Sequence, residues 1–318
     1  MKNAAMHLNS AQPLPSAATR DGLGEGLLLA GKDKRIVVLC ADLAESTRTL
    51  VFKKKFPDRF IEVGVAEQNL VTVASGLAAM GKIPFAASFA AFSPGRNWEQ
   101  IRTTICYNNV PVKIAGCHAG LTVGPDGATH QALEDVALMR TLPNMTVIVP
   151  CDAVEAAKAT IAAAEHPGPV YLRFGREKTP TITTQETPFT IGKANILIDS
   201  DNPSCAIIAN GILVSEALLA AETLKKEYGI ETLVINCHTV KPLDEKTILD
   251  AARRCGKIVT AEEHQKAGGL GSAIAEFLAQ SDVPTPMRLV AVDDSFGESG
   301  TAEELLKKYH LTAKDIVA

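Results

Sequence analysis

The sequence lacks several features that would assign it to a specialised class of protein. Its seven cysteines include no two at metal-ligand spacing, and no apolar run is long enough to cross a membrane. The N-terminal residues contain no apolar stretch of signal-peptide length. The formal net charge is -4, which disfavours a nucleic acid or an anionic membrane as the main partner. We therefore expect a cytoplasmic protein with buried, free thiols.

The pattern that is present is that of an α/β protein. A chain of 318 residues is too long for one ordinary core, so we expect two domains. Short runs rich in Val and Ile, without polar alternation, alternate with helical segments, which is typical of a parallel sheet covered on both faces. We predict two doubly wound α/β domains. The predicted parts are a flexible tail (1–18), a first domain (19–180), a linker (181–190) and a smaller second domain (191–318).

Apolar periodicity also places the individual elements. In the first domain the predicted strands are 36–40, 60–63, 85–87, 112–116, 146–149 and 170–173, and the predicted helices are 20–30, 45–56, 66–80, 97–107 and 153–165. In the second domain the predicted strands are 206–209, 232–236, 257–260 and 288–291, and the predicted helices are 214–228, 245–254, 271–279 and 302–309. The linker is predicted because residues 179–188 hold two prolines and five threonines and have little to bury.

One carboxylate falls at the start of an otherwise apolar helix. Glu67 follows a strand and a turn at Gly64, and the helix that it opens is apolar nearly all round, which predicts burial. A helix N-terminus favours a negative charge, but burying an unpaired carboxylate is costly. Two interpretations stay open: Glu67 pairs with a nearby arginine or caps its own helix, or it belongs to a functional site.

Aromatic residues make up only 5% of the chain, and four of them are concentrated after this helix. They are Phe85, Phe89, Phe92 and Trp98. Phe89 and Phe92 follow a short strand and are three residues apart. Such a cluster either packs in the core, which is the commoner case, or walls a pocket for a flat ring.

A long glycine-rich loop covers residues 116–134, between a strand and the next helix. In parallel α/β sheets, ligands bind at such loops. His118 and His130 are candidate acid–base or hydrogen-bonding groups, and Asp126 either binds a hydroxyl or fixes an Asp-Gly turn. Their spacing does not match a metal site. Incidental histidines in a structural loop are the less favoured interpretation.

Three arginines lie near predicted element ends: Arg20, Arg48 and Arg176. A guanidinium fork suits a phosphate monoester, although each arginine alone is more often a surface or ion-pair residue. The glycines after His264 lack the spacings of nucleotide-binding loops, so we interpret them as loop and helix-start residues.

The order of these segments resembles the pyrimidine-binding domain of transketolase. The matching segments are ADL at 41–43, GVAEQN at 64–69, Phe89 with Phe92, CHAGLTVGPDGATHQ at 117–131, LPN at 142–144 and FGREKTP at 174–180. The rest resembles the C-terminal domain of that family, most clearly AEEHQKAGGLG at 261–271. The resemblance therefore covers almost the whole chain beyond the tail.

The resemblance implies a thiamine-diphosphate (ThDP) enzyme. It implies that Glu67 hydrogen-bonds N1′ of the aminopyrimidine and favours the imino tautomer that activates the cofactor. Phe89 and Phe92 match the aromatic residues that pack on the pyrimidine ring. Leu43 matches a residue that helps to hold the bent cofactor.

The resemblance also implies a reaction, the ketol transfer of the pentose phosphate pathway. A two-carbon ketol unit passes from a ketose phosphate to an aldose phosphate, with the cofactor as the electron sink. His118 and His130 match residues against the sugar oxygens, and Asp126 matches one that reads a hydroxyl. The sugar-phosphate anchor is matched by Arg20, Ser46 and Arg176, and less closely by Arg48.

ThDP enzymes hold Mg²⁺ and the diphosphate with a GDG followed about thirty residues later by an Asn. The sequence has no GDG. We therefore expect a split enzyme in which a separate N-terminal subunit supplies the diphosphate-binding domain and the Mg²⁺ ligands. The implied assembly is an α2β2 heterotetramer in which this chain also contacts its own copy.

Three alternatives stay open. Deoxyxylulose-phosphate synthase shares the DG-x-TH loop but usually has an Asp-Arg pair where this chain has His118-Ala119. The β subunit of a 2-oxo acid dehydrogenase has a similar length but lacks DGATHQ. A binding protein with a decayed transketolase domain is disfavoured by Glu67, the phenylalanines and the histidine loop. Within the split class, a branched or sulfonated sugar is a further alternative.

Overall fold

The computed structural model describes Met6 and residues 14–318. It confirms the predicted fold class: two α/β domains, each built on a mostly parallel sheet with helices on its faces. None of the helices in these residues is long and apolar enough to cross a membrane. All seven cysteines are free thiols, and all except Cys205 are buried.

The first domain contains strands β1 (Ser16–Ala18), β2 (Ile36–Cys40), β3 (Phe60–Glu62), β4 (Ile83–Phe89), β5 (Lys113–Cys117), β6 (Thr146–Ile148), β7 (Val170–Arg173) and β8 (Lys178–Pro180). Its helices are α1 (Thr19–Ala30), α2 (Leu50–Lys55), α3 (Glu67–Ala79), α4 (Trp98–Gln100), α5 (Asp135–Arg140) and α6 (Ala153–Glu165). Helix α4 continues as a π-helix (Ile101–Cys106), and short 3₁₀ segments cover Pro57–Arg59 and Leu121–Asp126.

The second domain contributes strands β9 (Asn195–Ile198), β10 (Cys205–Ala209), β11 (Thr232–Asn236), β12 (Thr239–Lys241), β13 (Ile258–Gln265) and β14 (Met287–Val292). Its helices are α7 (Leu213–Tyr228), α8 (Glu245–Cys255), α9 (Leu270–Leu278), α10 (Ala302–Lys308) and α11 (Ala313–Val317). Its five-stranded sheet has the order β14-β13-β10-β11-β9, with only β9 antiparallel.

The seven-stranded sheet joins the two domains, because it contains one strand from the second of them. Its order is β12-β6-β7-β5-β4-β2-β3, and six of these strands run parallel. The exception, β12, comes from the C-terminal part of the chain and pairs antiparallel with β6. The strands β2, β4 and β5 are buried at every residue, as expected for a parallel sheet covered on both faces.

Small residues bring helix α1 close to helix α6. A Cβ at Gly22 would overlap the carbonyl oxygen of Ala153, and a Cβ at Gly26 would lie 2.6 Å from the Cβ of Thr160. Glycine is therefore required at this crossing by the close approach. The contact fixes the start of α1, where Arg20 lies.

Several strands and helices end where the sequence predicts. Strands 36–40 and 170–173 and helix 153–165 agree residue for residue. The helix predicted over 45–56 is wrong over its first part, because Arg48 has φ +64°, which an α-helix does not accommodate. Strands β9 and β12 were not predicted.

The tail and the linker also differ from expectation. Most of the predicted tail lies outside the described residues, but Ser16–Ala18 pair antiparallel with Lys178–Pro180, so the prediction of a flexible tail is wrong for these three residues. The segment 181–190 has more to bury than expected: Ile182 and Thr183 are buried. Their backbone N–H groups donate to Asp152 at 2.8 and 2.6 Å.

Asp152 offers a test of how firmly this segment is held. The same carboxylate caps helix α6 by accepting the Glu155 N–H at 2.9 Å. We expect Asp152→Ala to lower the free energy of unfolding by about 2–4 kcal/mol, because it removes a helix cap and leaves buried donors unpaired. Chemical denaturation measures the change. Asp201→Ala, at an exposed position, is the control and should stay within about 0.5 kcal/mol. An equal loss in both variants would contradict the role of Asp152.

Candidate active site

The residues singled out in the sequence converge at one edge of the seven-stranded sheet. Phe89 ends β4, and His118 directly follows β5. Leu43 follows β2, and Glu67 opens the helix after β3. Because β5, β4, β2 and β3 are neighbours and parallel, their carboxyl ends share one edge. The topology therefore brings together segments that lie far apart in the chain.

Glu67 is buried and paired. Its side chain is 2% exposed, and Arg96 Nη1 lies 2.7 Å from Glu67 Oε2. The side chain of Arg96 is 51% exposed, so one partner is buried and the other reaches solvent. The amide of Asn97 donates to the backbone oxygen of Glu67 at 2.7 Å, which fixes the start of α3. The ion-pair interpretation of Glu67 thus holds for the chain by itself.

The guanidinium of Arg96 also covers an aromatic face. Its Cζ lies 4.8 Å from the ring centroid of Phe92. Phe92 and Phe89 are stacked with their centroids 6.2 Å apart. Phe89 is almost fully buried, whereas Phe92 and Leu43 are partly exposed at the border of the same apolar cluster. Phe89 is therefore a core residue, whereas the ring of Phe92 is partly exposed towards the site.

The two other aromatic residues of that segment pack in or against the core, with Trp98 partly buried. Phe85 is fully buried. The indole N–H of Trp98 donates to the Leu138 backbone oxygen at 2.9 Å. For these two residues the core interpretation is correct.

His118 is the most perturbed group of the site. It is 3% exposed, and its ring stacks on Phe89 with centroids 3.9 Å apart. Burial lowers the pKa of His118 from 6.5 to about 3, and the charges of Arg20, Arg176 and Arg48 and the neighbouring His130 act in the same direction. His118 is therefore neutral at physiological pH.

The hydrogen bonds of His118 define its tautomer. Arg20 Nη1 lies 3.2 Å from His118 Nε2. A guanidinium only donates, so Nε2 accepts and the proton of the neutral ring is on Nδ1. Within residues 14–318 this buried Nδ1 has no hydrogen-bond partner. The site thus contains a donor without an acceptor.

The arginines differ in their contacts. Arg20 also donates to the backbone oxygen of Ser46 at 3.0 Å, so the structure brings the Ser46 carbonyl, rather than its hydroxyl, to Arg20. Arg176 pairs with Asp126 at 3.1 Å. Arg48 pairs with Asp21 at 2.7 Å, the ion-pair role that its sequence alone also allowed.

The second histidine, His130, contacts both rings of the aromatic pair. The ring of His130 meets Phe92 edge-on, with centroids 5.3 Å apart. Its Nδ1 lies 2.9 Å from the hydroxyl of Thr129. His118 and His130 therefore both contact the aromatic pair, His118 through Phe89 and His130 through both rings.

Arg96 and Asn97 were missed by sequence reasoning. A signal was present, because both lie in the turn between the phenylalanines and the following helix. A turn that follows two pocket-lining aromatic residues is a natural source of side chains for the same pocket. What the sequence could not give is the partner, since Arg96 and Glu67 come from separate segments.

A double-mutant cycle tests the Glu67–Arg96 pair. We expect Arg96→Gln to destabilise the cofactor-free chain by roughly 1–3 kcal/mol, because a buried carboxylate loses its charged partner. Glu67→Gln with Arg96→Gln should recover most of this loss, because no unpaired charge remains. Thermal and urea unfolding provide the values. Additive effects of the two changes would show that the pair does not form.

The lowered pKa of His118 predicts a pH-dependent stability. Between pH 6.5 and about 3 the unfolded chain binds a proton on this ring and the folded chain does not. The contribution of His118 is therefore complete above pH 6.5 and is lost as the pH falls. We expect His118→Asn to flatten the decrease in melting temperature between pH 7 and 5. His310→Asn, at an exposed position, is the control, and equal slopes in all three proteins would contradict the assignment.

Comparison with known proteins now identifies the architecture. Residues 16–181 match the family model described as "Transketolase, pyrimidine binding domain", and residues 192–316 match "Transketolase, C-terminal domain". A putative transketolase C-terminal section of Methanocaldococcus jannaschii is 46% identical over 300 residues, with 93% of each chain covered. The 6-deoxy-6-sulfo-D-fructose transketolase subunit SqwH of Clostridium sp. (strain MSTE9) is 46% identical, with 91% of this chain and 88% of the relative covered.

Among solved structures, one described as "Split gene transketolase, inactive beta4 tetramer" superposes with a TM-score of 0.87 at 48% identity. It covers 94% of this chain and 96% of its own. Both domain models, these relatives and this structure agree in order and extent. The chain therefore belongs to the transketolase family and carries the pyrimidine-binding and C-terminal domains of that family.

Proposed function

We propose that this chain is the C-terminal subunit of a ThDP-dependent transketolase. It would move a two-carbon ketol unit from a ketose phosphate to an aldose phosphate when joined to a diphosphate-binding subunit. The observation that carries the proposal is the buried carboxylate of Glu67, whose partner Arg96 lies over the face of Phe92. A buried carboxylate needs a partner, and a flat nitrogen-containing ring in the place of the guanidinium would meet both the carboxylate and the aromatic face.

The residues present fit the pyrimidine end of ThDP. Arg96 places a planar N–H donor against Glu67 and over the ring of Phe92. An aminopyrimidine ring offers the same two contacts, a donor to a carboxylate and a flat face to an aromatic ring. Because the side chain of Arg96 is half exposed and long, it has room to move aside for such a ring.

The protein residues then have distinct tasks. When bound, ThDP supplies the nucleophilic carbon and the electron sink for breaking a carbon–carbon bond. Glu67 holds a proton that it shares with the pyrimidine nitrogen, and Phe89, Phe92 and Leu43 exclude water from the ring. His118 offers the proton on Nδ1 to a sugar oxygen, since that atom has no partner among the residues that the structure describes. His130 contacts both rings of the aromatic pair from their edges.

The anchor for the sugar phosphate is electrostatic. The chain has a net charge of -4, yet the charges of Arg20, Arg176 and Arg48 all lower the pKa of one imidazole. Three cations near one buried ring create a local positive potential that suits a phosphate dianion. Asp126 pairs with Arg176, and we propose that its carboxylate accepts a hydrogen bond from a sugar hydroxyl. Ser46 contributes through the carbonyl that orients Arg20.

A partner subunit completes the proposed enzyme. Within residues 14–318, no group of three or more His, Cys, Asp or Glu side chains converges as a metal site. We propose that Mg²⁺ and the diphosphate are held by an N-terminal subunit in a cytoplasmic α2β2 assembly. Proteins named as a C-terminal section, as a subunit and as a split-gene transketolase support a separate N-terminal subunit.

A sulfonated sugar is the second candidate substrate. The relative named for 6-deoxy-6-sulfo-D-fructose is as similar to this chain as the relative from M. jannaschii, at 46% identity each. A sulfonate offers tetrahedrally arranged oxygens to the planar guanidinium donors, as a phosphate does, but carries one charge fewer than a phosphate dianion. The arginines of this site therefore suit either group, and the assay must include both.

The proposed function predicts ketol transfer by the reconstituted complex. We expect turnover of xylulose 5-phosphate and ribose 5-phosphate with ThDP and Mg²⁺, and loss of kcat by roughly 100-fold or more in Glu67→Gln, since a proton relay is removed. Glu165→Gln, at an exposed helix end, is the control and should retain full activity. A coupled assay with both sugars, repeated with a sulfofructose donor, provides the rates.

Two results would contradict the proposal. A folded complex without transfer from any of these donors would contradict the reaction. Near-normal turnover in Glu67→Gln would remove Glu67 from the mechanism.

A further inference from the structure

The segment Ala261–Gly271 has no part in the site described so far, although it is the most distinctive stretch of the C-terminal domain. It includes the end of β13 and the glycine loop that leads into α9. The loop of residues 118–131, which carries both histidines of the site, lies against it. The contacts between the two segments show what the C-terminal domain contributes to the site.

Three consecutive side chains of this segment accept backbone N–H groups. Glu262 accepts from Leu270 and Gly271, at 2.7 and 2.8 Å, within its own domain. Glu263 accepts from Thr122 in the histidine loop at 2.6 Å. His264 Nε2 accepts from the first-domain helix α5 at 3.3 Å. The first of the three closes its own glycine loop, and the next two reach the first domain.

Glu263 contacts the histidine loop at its beginning. Its side chain is 4% exposed, and it packs against Gly120, two residues after His118. Gly120 has φ +88°, and a Cβ there would overlap the Glu263 carboxylate. The chain therefore turns at Gly120 over the carboxylate of Glu263, and the backbone N–H of Thr122 donates to that carboxylate. This contact sets the direction in which the backbone leaves His118.

A second contact holds the end of the loop. Gln131 follows His130, and its amide donates to the backbone oxygens of Leu121 and Glu298 at 3.1 and 2.9 Å. Glu298 belongs to the C-terminal domain, so one amide joins both ends of the loop to that domain. A Cβ at Gly297 would overlap the Gln131 amide, which shows how closely the two segments approach.

We infer that Glu263 is a positioning residue for substrate recognition. By bonding Thr122 and supporting Gly120, its carboxylate holds the backbone that presents His118 to the sugar. This inference rests on the proposed function. Glu263 touches neither Glu67 nor the phenylalanines in the described contacts, so its loss should affect the sugar and leave cofactor binding unchanged.

The experiment compares Glu263→Ala and Glu263→Gln in the reconstituted complex. We expect Glu263→Ala to raise KM for the ketose phosphate by about tenfold, since a hydrogen bond to a charged acceptor is lost. Glu263→Gln keeps a carbonyl acceptor for Thr122 and should raise KM only about two- to threefold. The Kd of ThDP, measured by calorimetry, should stay at the wild-type value in both variants.

Glu262→Gln is the matched control. Glu262 is equally buried and also accepts backbone N–H groups, but only within the C-terminal domain. It should lower the melting temperature without changing KM. An equal rise of KM in Glu262→Gln, an unchanged KM in Glu263→Ala, or a parallel loss of ThDP affinity would overturn the inference.

Two further measurements keep the test valid if Glu263→Ala does not fold. In Gly297→Ala the added Cβ would overlap the side-chain amide of Gln131 and displace the end of the loop. This variant should therefore also raise KM, and an unchanged KM would count against the inference. Hydrogen exchange of the segment 118–131 should be faster in Glu263→Gln than in wild type. This readout needs no turnover, so it separates failure of the inference from failure of the proposed function. Equal exchange in the two proteins would overturn the inference.

Discussion

A buried arginine joins the two domains of this protein, and the geometry of the site depends on it. Arg173, at the end of β7, pairs with Asp135 at 2.9 Å and donates to the Ala132 and Glu263 backbone oxygens. Burial alone would lower the pKa of this guanidinium, but Asp135 and Glu263 outweigh that effect and raise it. A buried ion pair stabilises more when its remaining donors are satisfied, and here Nη2 of Arg173 donates to the backbone of both domains.

The cluster around Arg173 lies directly beneath the histidine loop. Tyr171 donates to Asp135 at 2.6 Å, and Asp135 opens the helix that follows the loop. Burial raises the pKa of Glu263, and Arg173 opposes this effect. The carboxylate that supports Gly120 is thus held by the same arginine that fixes the far end of the loop. The position of His118 is coupled in this way to the packing of the C-terminal domain.

The site combines two opposite electrostatic environments over a short distance. Glu67 is a buried anion that needs a cation or a donor, and in the chain by itself Arg96 meets that need. His118 is an imidazole whose pKa is lowered by burial, and the surrounding arginines act in the same direction. Under the proposed function, a cofactor ring would take the place of Arg96 beside Glu67, and an anionic substrate would neutralise the arginines around His118.

The sequence by itself determined the fold class, most strands and helices, and the residues that gather at the site. Apolar runs report burial, and the strand–turn–helix order fixes which ends carry loops, so Glu67, Phe92, His118 and His130 could be found from their places in the pattern. Short polar strands gave no such signal: β12 pairs with β6 across the domain boundary, and only that pairing makes it a strand. The tertiary structure alone decided the partners, namely Arg96 for Glu67, Arg20 for His118 and Glu263 for Thr122. Periodicity describes the environment of one residue, whereas an ion pair or a hydrogen bond depends on the distance between two segments, and chain folding alone sets that distance.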